Sequence, residues 1–238
     1  HAEAFDARGT TTLLRTFWTA LETLFSNQTP NSSRENVVNS LLPIIQKTYI
    51  LKNLRAVYSQ LCYAIEQQEL KELGIASFEE FVLYFSAHTE SSTEMKKVYE
   101  HLSQNPLLRT RLFSLRKSLA DGKSIATFLD SHRTRIEWQI KRLYRMRNIA
   151  THLGVEISGI DIAANHLHNY FDFVVNYMLC KSENGNYVIS TAAVVFEAKN
   201  DNRIHAEMLK ENNPLSSDNY ISYLFGPDDN LINYQFEY

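Results

Sequence analysis

Between Glu137 and Gly154 the chain carries Lys141, Arg142, Arg145, Arg147, Asn148 and His152. Guanidinium groups grip phosphate oxygens as fixed forks, and an imidazole with an ordinary pKa of about 6.5 can take up or give a proton near neutrality. Together these residue types point to chemistry on a phosphate ester. Breaking such an ester asks for a group that takes a proton, a group that gives one, and positive charge to steady the crowded phosphate. His152 is the candidate acid or base, Arg147 the candidate transition-state stabiliser and Asn148 an orienting polar group, with Arg142, Arg145 and Lys141 as candidates to hold neighbouring phosphates.

A helix has to position them. The stretch holds no proline and no glycine before Gly154, which predicts one continuous helix from about Ser124 to Leu153, stopped at that glycine. At about 100° per residue, Asn148 and His152 share a face, with Arg145 one turn earlier on the same stripe. Arg147 lies about 140° away from His152 on an ideal wheel. Fraying at the helix end, a long guanidinium swinging round the cylinder, or a group from a second chain would each relieve that tension, and spacing leaves all three open. A solvated basic face opposite Ile140, Leu143 and Ile149 has the same composition, so spacing alone does not separate catalysis from ordinary amphipathic packing.

The run Arg147-Asn148-Ile149-Ala150-Thr151-His152 resembles the Arg-x4-6-His motif of the HEPN superfamily, including a polar residue directly after the arginine. The flanking Arg142-Leu143-Tyr144-Arg145-Met146 is similar to the wording around that motif, and Arg15-Thr16-Phe17-Trp18-Thr19-Ala20-Leu21-Glu22 resembles the first helix of some members. The resemblance runs from about residue 10 to residue 182. It implies an all-α multi-helix bundle of HEPN type over 1–182, with residues 183–238 as a helical C-terminal extension packing on it. It also implies a metal-independent endoribonuclease, often of defence or toxin type, that leaves a 2′,3′-cyclic phosphate and needs no cofactor. Two copies of the motif would line one cleft in a homodimer. The alternative within the same family is an inactive dimerisation or partner-binding module. Glu22, Glu137 and Tyr144 are candidate supporting residues. Glu137 with Lys141 and Arg142 is similar to an auxiliary acidic-basic motif of the family, and is equally a Glu-to-Lys pair of the kind that supports any helix. Some members carry a tyrosine two residues after the histidine, where a partner enzyme modifies it; Gly154 stands there in this chain.

Composition sets the frame. The 238 residues are 44% hydrophobic and 21% charged, as in a globular protein with ample core. Net charge is −3, so any pull on nucleic acid must be local. The segment Arg133–Arg147 supplies that locality, with six Arg or Lys side chains against the one acid Glu137. Two cysteines, Cys62 and Cys180, lie in apolar helical patterns and are expected as buried free thiols in a reducing cytoplasm. No apolar run reaches membrane-spanning length, no leader pattern is recognisable, and a start at His1 rather than Met is expected of a piece of something longer, with a sensor or regulatory region elsewhere. Gly-rich phosphate loops and a Gly-x-Ser-x-Gly elbow are absent, which argues against nucleoside triphosphate hydrolysis and serine hydrolysis. His166 and His168, two apart, do not share a helix face, and no metal site is expected.

The remaining elements read as helices. Thr10–Thr12 cap a helix whose Leu14, Phe17, Trp18 and Leu21 recur at 3-4 spacing. Glu22, four residues beyond Trp18, is either a border residue, as most acids are, or the partner of an inward arginine. A loop follows over Asn27–Ser33, then a long helical region from Arg34 to Leu73 with Pro43 inside it and Gly74 at its end. Ser77 caps a short apolar segment, helix or strand, and helices are expected near 94–104, 106–120, 158–181 and 187–211, with breaks at Asp121-Gly122 and Asn184-Gly185-Asn186. Tyr220–Phe225 is a short apolar piece among turns.

Overall fold

The computed structural model describes residues 9–26, 33–152, 158–185 and 190–227. Among these there are ten α-helices and no strand: α1 (Thr10–Leu24), α2 (Ser33–Ala64), α3 (Gln67–Glu72), α4 (Phe78–Ala87), α5 (Thr93–His101), α6 (Pro106–Ser118), α7 (Gly122–His152), α8 (Ile160–Gly185), α9 (Thr191–Met208) and α10 (Tyr220–Phe225). A single 3-10 turn, Leu209–Glu211, follows α9. The all-helical class is therefore as the sequence predicts. The expected loop over Asn27–Ser33, apart from Ser33, which opens α2, and the stop at Gly154 lie outside the described residues.

Residues gather into two compact units that are not consecutive in sequence. Of the described residues, one takes those up to Gln46 together with those within 132–199; the other takes Lys47–Ser131 together with 200–227. The boundary expected at 182/183 is a cut along the chain, whereas α2, α7 and α9 each give residues to both units.

The first unit is built on α1. Its Leu14, Phe17, Trp18 and Leu21 are buried, as their spacing requires, and α1 packs along α8. Phe17 stacks on the His168 ring at 4.7 Å and meets Phe171 at 6.2 Å, while Trp18 sits 5.1 Å from the Tyr144 ring of α7. The C-terminal half of α7 answers with Ile140, Leu143 and Ala150 on its buried side. Ile160, Ala163, Ala164, Leu167, Val174 and Tyr177 do the same for α8. Lys181 on α8 reaches Glu197 on α9 at 2.7 Å.

In the second unit, the region expected as one run to Leu73 breaks after Ala64, and α3 forms separately before Gly74 turns the chain with φ 79°. Pro43 is accommodated within α2. Ser77 caps α4 by accepting the Glu80 N–H at 3.1 Å, while the Glu80 carboxylate accepts the Ala76 N–H at 2.7 Å, so the ambiguous apolar segment is a helix. Arg116 is buried and donates from Nε to the His88 carbonyl at 2.7 Å. Cys62 is exposed, contrary to the expected buried thiol, because Leu61 and Ile65 take the inward positions of that turn and leave Cys62 beside the solvent-facing Tyr63. Cys180 is half-buried, and neither cysteine is in a disulfide.

His205 is buried in this unit and donates from Nε2 to the Tyr223 carbonyl at 2.8 Å. Burial lowers its pKa, and that hydrogen bond works in the opposite sense. A lowered folded-state pKa means that the unfolded chain takes up the proton first, so stability falls as pH drops below about 6.5 and levels out once the folded form is also protonated. Replacing His205 with Gln should make that acid-side loss shallower in urea titrations run from pH 7.5 to 5. In the first unit, Leu21→Ala removes a fully buried side chain from α1 and should lower unfolding free energy by about 2–5 kcal/mol in a denaturant melt.

Candidate active site and basic cleft of α7

Two stripes run down the second half of α7. Ile140, Leu143, Arg147 and Ala150, spaced 3-4-3, form the inner one. The outer one is Trp138, Arg142, Arg145, Ile149 and His152, spaced 4-3-4-3, and every member of it is exposed. The two arginines of the motif stretch therefore have different surroundings. Arg145 stands in solvent on the outer stripe, while Arg147 occupies an inner slot between Leu143 and Ala150.

A guanidinium in an inner slot loses water and needs partners. Glu22 of α1 provides one: its Oε2 lies 3.6 Å from Arg147 NH2, and each side chain is 23% exposed. Asn148 provides another, its Oδ1 accepting from Arg147 NH1 at 3.0 Å. Arg147 Nε is buried without a hydrogen-bond partner among the described residues. So Glu22 is the partner of an inward arginine rather than a border acid, and Asn148 accepts a hydrogen bond from that arginine.

His152 is exposed at the C-terminal end of α7. Within one chain it is not brought to Arg147: five residues of helix separate them, about 140° around the axis, and Arg147 is held inward. The residues that do share the His152 stripe are Arg145 and Arg142. Lys141 is engaged one turn back by Glu137, the ordinary i,i+4 helix pair. Tyr144 is a packing residue, with the Trp18 ring on it and the Arg34 guanidinium 5.6 Å from its ring centre.

Beside the outer stripe, a cleft of about 430 Å³ opens between α7 and α8. Its α7 side carries Trp138, Arg142 and Arg145, and its α8 side Ile162, Ala163 and His166. Gln139 also lines it, held by the Tyr170 hydroxyl, which donates to its Oε1 at 2.8 Å; burial pushes that phenol's pKa upward. Trp138, Ile162 and His166 received no part in the sequence-based site, although the 4-3-4-3 spacing from Trp138 to His152 is legible and would have singled out the tryptophan. His168 is turned away to other work, its Nε2 2.8 Å from Asp172. Among the described residues there is no group of three His, Cys, Asp or Glu side chains that could hold a metal ion, and no helix is long and apolar enough to cross a membrane.

Comparison of the chain with family models, with curated proteins and with solved structures gives no match.

The inward arginine yields a stability test. Glu22→Ala strips Arg147 of its carboxylate in a half-buried slot and should cost about 1–2 kcal/mol, reduced from a buried-pair value because both groups retain some water. Thermal melts of Glu22→Ala and of Glu22→Gln, which keeps an acceptor oxygen, check this; the glutamine variant should fall between the alanine variant and the parent.

Proposed function

We propose that this chain is a metal-independent endoribonuclease of HEPN type, acting in the cytoplasm in a defence or toxin role and working as a homodimer. The observation that supports it best is that His152 stands exposed at the end of a stripe whose other polar members are Arg145 and Arg142, within a stretch that resembles the HEPN motif. His152 takes the proton of a ribose 2′-hydroxyl, the 2′-oxygen attacks phosphorus, and the 5′-oxygen leaves with a proton supplied by His152 of a second copy. The product is a 2′,3′-cyclic phosphate. Arg145 carries the charge that grows on the phosphate oxygens, and Arg142 holds the flanking backbone. The motif resemblance gives transition-state charge to Arg147; its pairing with Glu22 and Asn148 favours instead a positioning part, in which Arg147 fixes the rotation of α7.

A second reading has its own support. Trp138, Ile149 and Ile162 are large apolar side chains left in solvent, and an arginine turned inward is what a non-catalytic bundle would also carry. On that reading the chain is a dimerisation or partner-docking module of a longer protein.

Purified protein incubated with single-stranded RNA in EDTA separates the two. The nuclease reading expects fragments ending in 2′,3′-cyclic phosphate, with DNA of the same sequence left whole. His152→Ala should slow cleavage by about 100-fold or more, the scale of a lost general acid-base group. RNA that stays intact, or a His152→Ala variant that cuts as fast as the parent, would leave the docking module.

A further inference from the structure

Of the two tryptophans in the chain, Trp18 is fully buried and Trp138 is 69% exposed. An indole held in water offers a large, rigid stacking surface at little entropic cost. Trp138 heads the outer stripe, with Arg142 one turn and Arg145 two turns below it. The cleft beside it is floored by the apolar side chains of Leu143, Met146 and Ala163, and its polar edge is made of Arg142, Arg145 and His166. Among the described residues no carboxylate lines it, and the acid next to Trp138 in sequence, Glu137, is already paired with Lys141. About 430 Å³ lies within the ~300–1,000 Å³ of small-molecule sites, enough for one nucleotide rather than a helix.

We infer that this cleft is a single-nucleotide subsite for single-stranded RNA: one unstacked base lies against the Trp138 indole, and the phosphate beside it meets Arg142, with Arg145 further along the strand toward the reacting bond. A duplex cannot fill it, because its bases keep their faces for one another. The subsite stands apart from the reacting bond. Fourteen residues of helix place Trp138 about 20 Å from His152, so it grips the strand without touching the scissile linkage. Its loss should raise KM while leaving kcat close to the parent value, the signature of binding energy spent equally on substrate and transition state. The choice of RNA over DNA rests on the nuclease reading; the base-and-phosphate recognition does not. A second copy of this chain laid over Trp138 is the competing occupant. Charge disfavours it at this end of the stripe, about 20 Å from the His152 end where the proposed dimer meets, since a twofold axis at Trp138 sets Arg142 against Arg142 with no acid on the stripe to answer them.

The test uses the intact protein and a short 2′-O-methyl oligonucleotide, which has no free 2′-hydroxyl and cannot be cut by attack of that group. Binding is followed by tryptophan emission, with a duplex of the same sequence and the matching single-stranded DNA as comparison arms. The subsite expects saturable quenching by the single-stranded RNA analogue, absent in Trp138→Phe and absent with the duplex. Trp138→Ala should weaken binding about tenfold, the scale of one lost base-aromatic stack. Arg142→Ala and Arg145→Ala should each make the dependence of log affinity on log salt shallower by about 0.7. All three side chains are exposed, so the variants should melt with the parent. Unchanged affinity in Trp138→Ala, or quenching by duplex equal to that by single strand, would overturn the subsite. So would a Trp138→Ala protein that sediments as a monomer where the parent is a dimer yet binds the oligonucleotide as well as the parent, since the face would then join two copies. Binding at the tryptophan without any RNA cleavage would sink the nuclease reading and support the subsite. Equal binding of single-stranded DNA would remove only the preference for RNA and support the base-and-phosphate contacts.

Discussion

The contact between Glu22 and Arg147 governs much of the first unit. A helix as polar as the second half of α7 can settle against its neighbours in several rotations, because its apolar side chains are few and its charged ones are many. Placing a guanidinium between Leu143 and Ala150 removes that freedom. The charge is tolerable there only where a carboxylate stands opposite, and α1 has one such group, on the same helix that buries Leu14, Trp18 and Leu21. Hydrophobic packing holds α1 in place, the ion pair then selects one rotation of α7, and Asn148 steadies the guanidinium from the adjacent position.

That rotation decides which side chains are available for function. With Arg147 inward, Trp138, Arg142, Arg145, Ile149 and His152 must all face outward, since they lie on the opposite side of the helix. The exposed stripe combines a stacking surface, two fixed cations and an imidazole at the helix end. These are the groups that a single-stranded polyanion calls for, and they are concentrated in one place on a chain whose net charge is −3. α8 completes the cleft with Ile162 and His166 while its opposite face, through Leu167 and His168, is occupied with the core and Phe17.

The helical class was legible in the sequence, and so were most helix starts, because they depend on local chemistry: Ser77 as a cap, Pro106 in a first turn, the 3-4 recurrence of Leu14, Phe17, Trp18 and Leu21. The grouping of residues 132–199 with the N-terminal residues, far away in sequence, is not a feature that local chemistry displays. At the site, the wheel sets Arg147 about 140° from His152 and Arg145 on the His152 side, and the half-burial of Arg147 beside the exposure of Arg145 and His152 follows the same split. Buried Ile140, Leu143 and Ala150 put Arg147 on the inner side of α7, but its carboxylate partner Glu22 comes from a different helix, 125 residues away in the chain. The basic-aromatic cleft was missed for a similar reason: Ile162 and His166 come from α8, and their meeting with Trp138 is a tertiary fact. Cys62 shows a limit of pattern reading, because one position round an apolar helix turns burial into exposure.

The division of labour between the two arginines is the claim on which the functional account turns, and one paired comparison addresses it directly: Arg145→Ala and Arg147→Ala, each measured for RNA cleavage and for thermal stability under the same conditions. The account expects Arg145→Ala to melt with the parent and lose most of its cleavage, and Arg147→Ala to melt at a lower temperature because its contacts with Glu22 and Asn148 are lost. An Arg147→Ala protein as stable as the parent but unable to cut RNA, alongside a fully active Arg145→Ala, would contradict it.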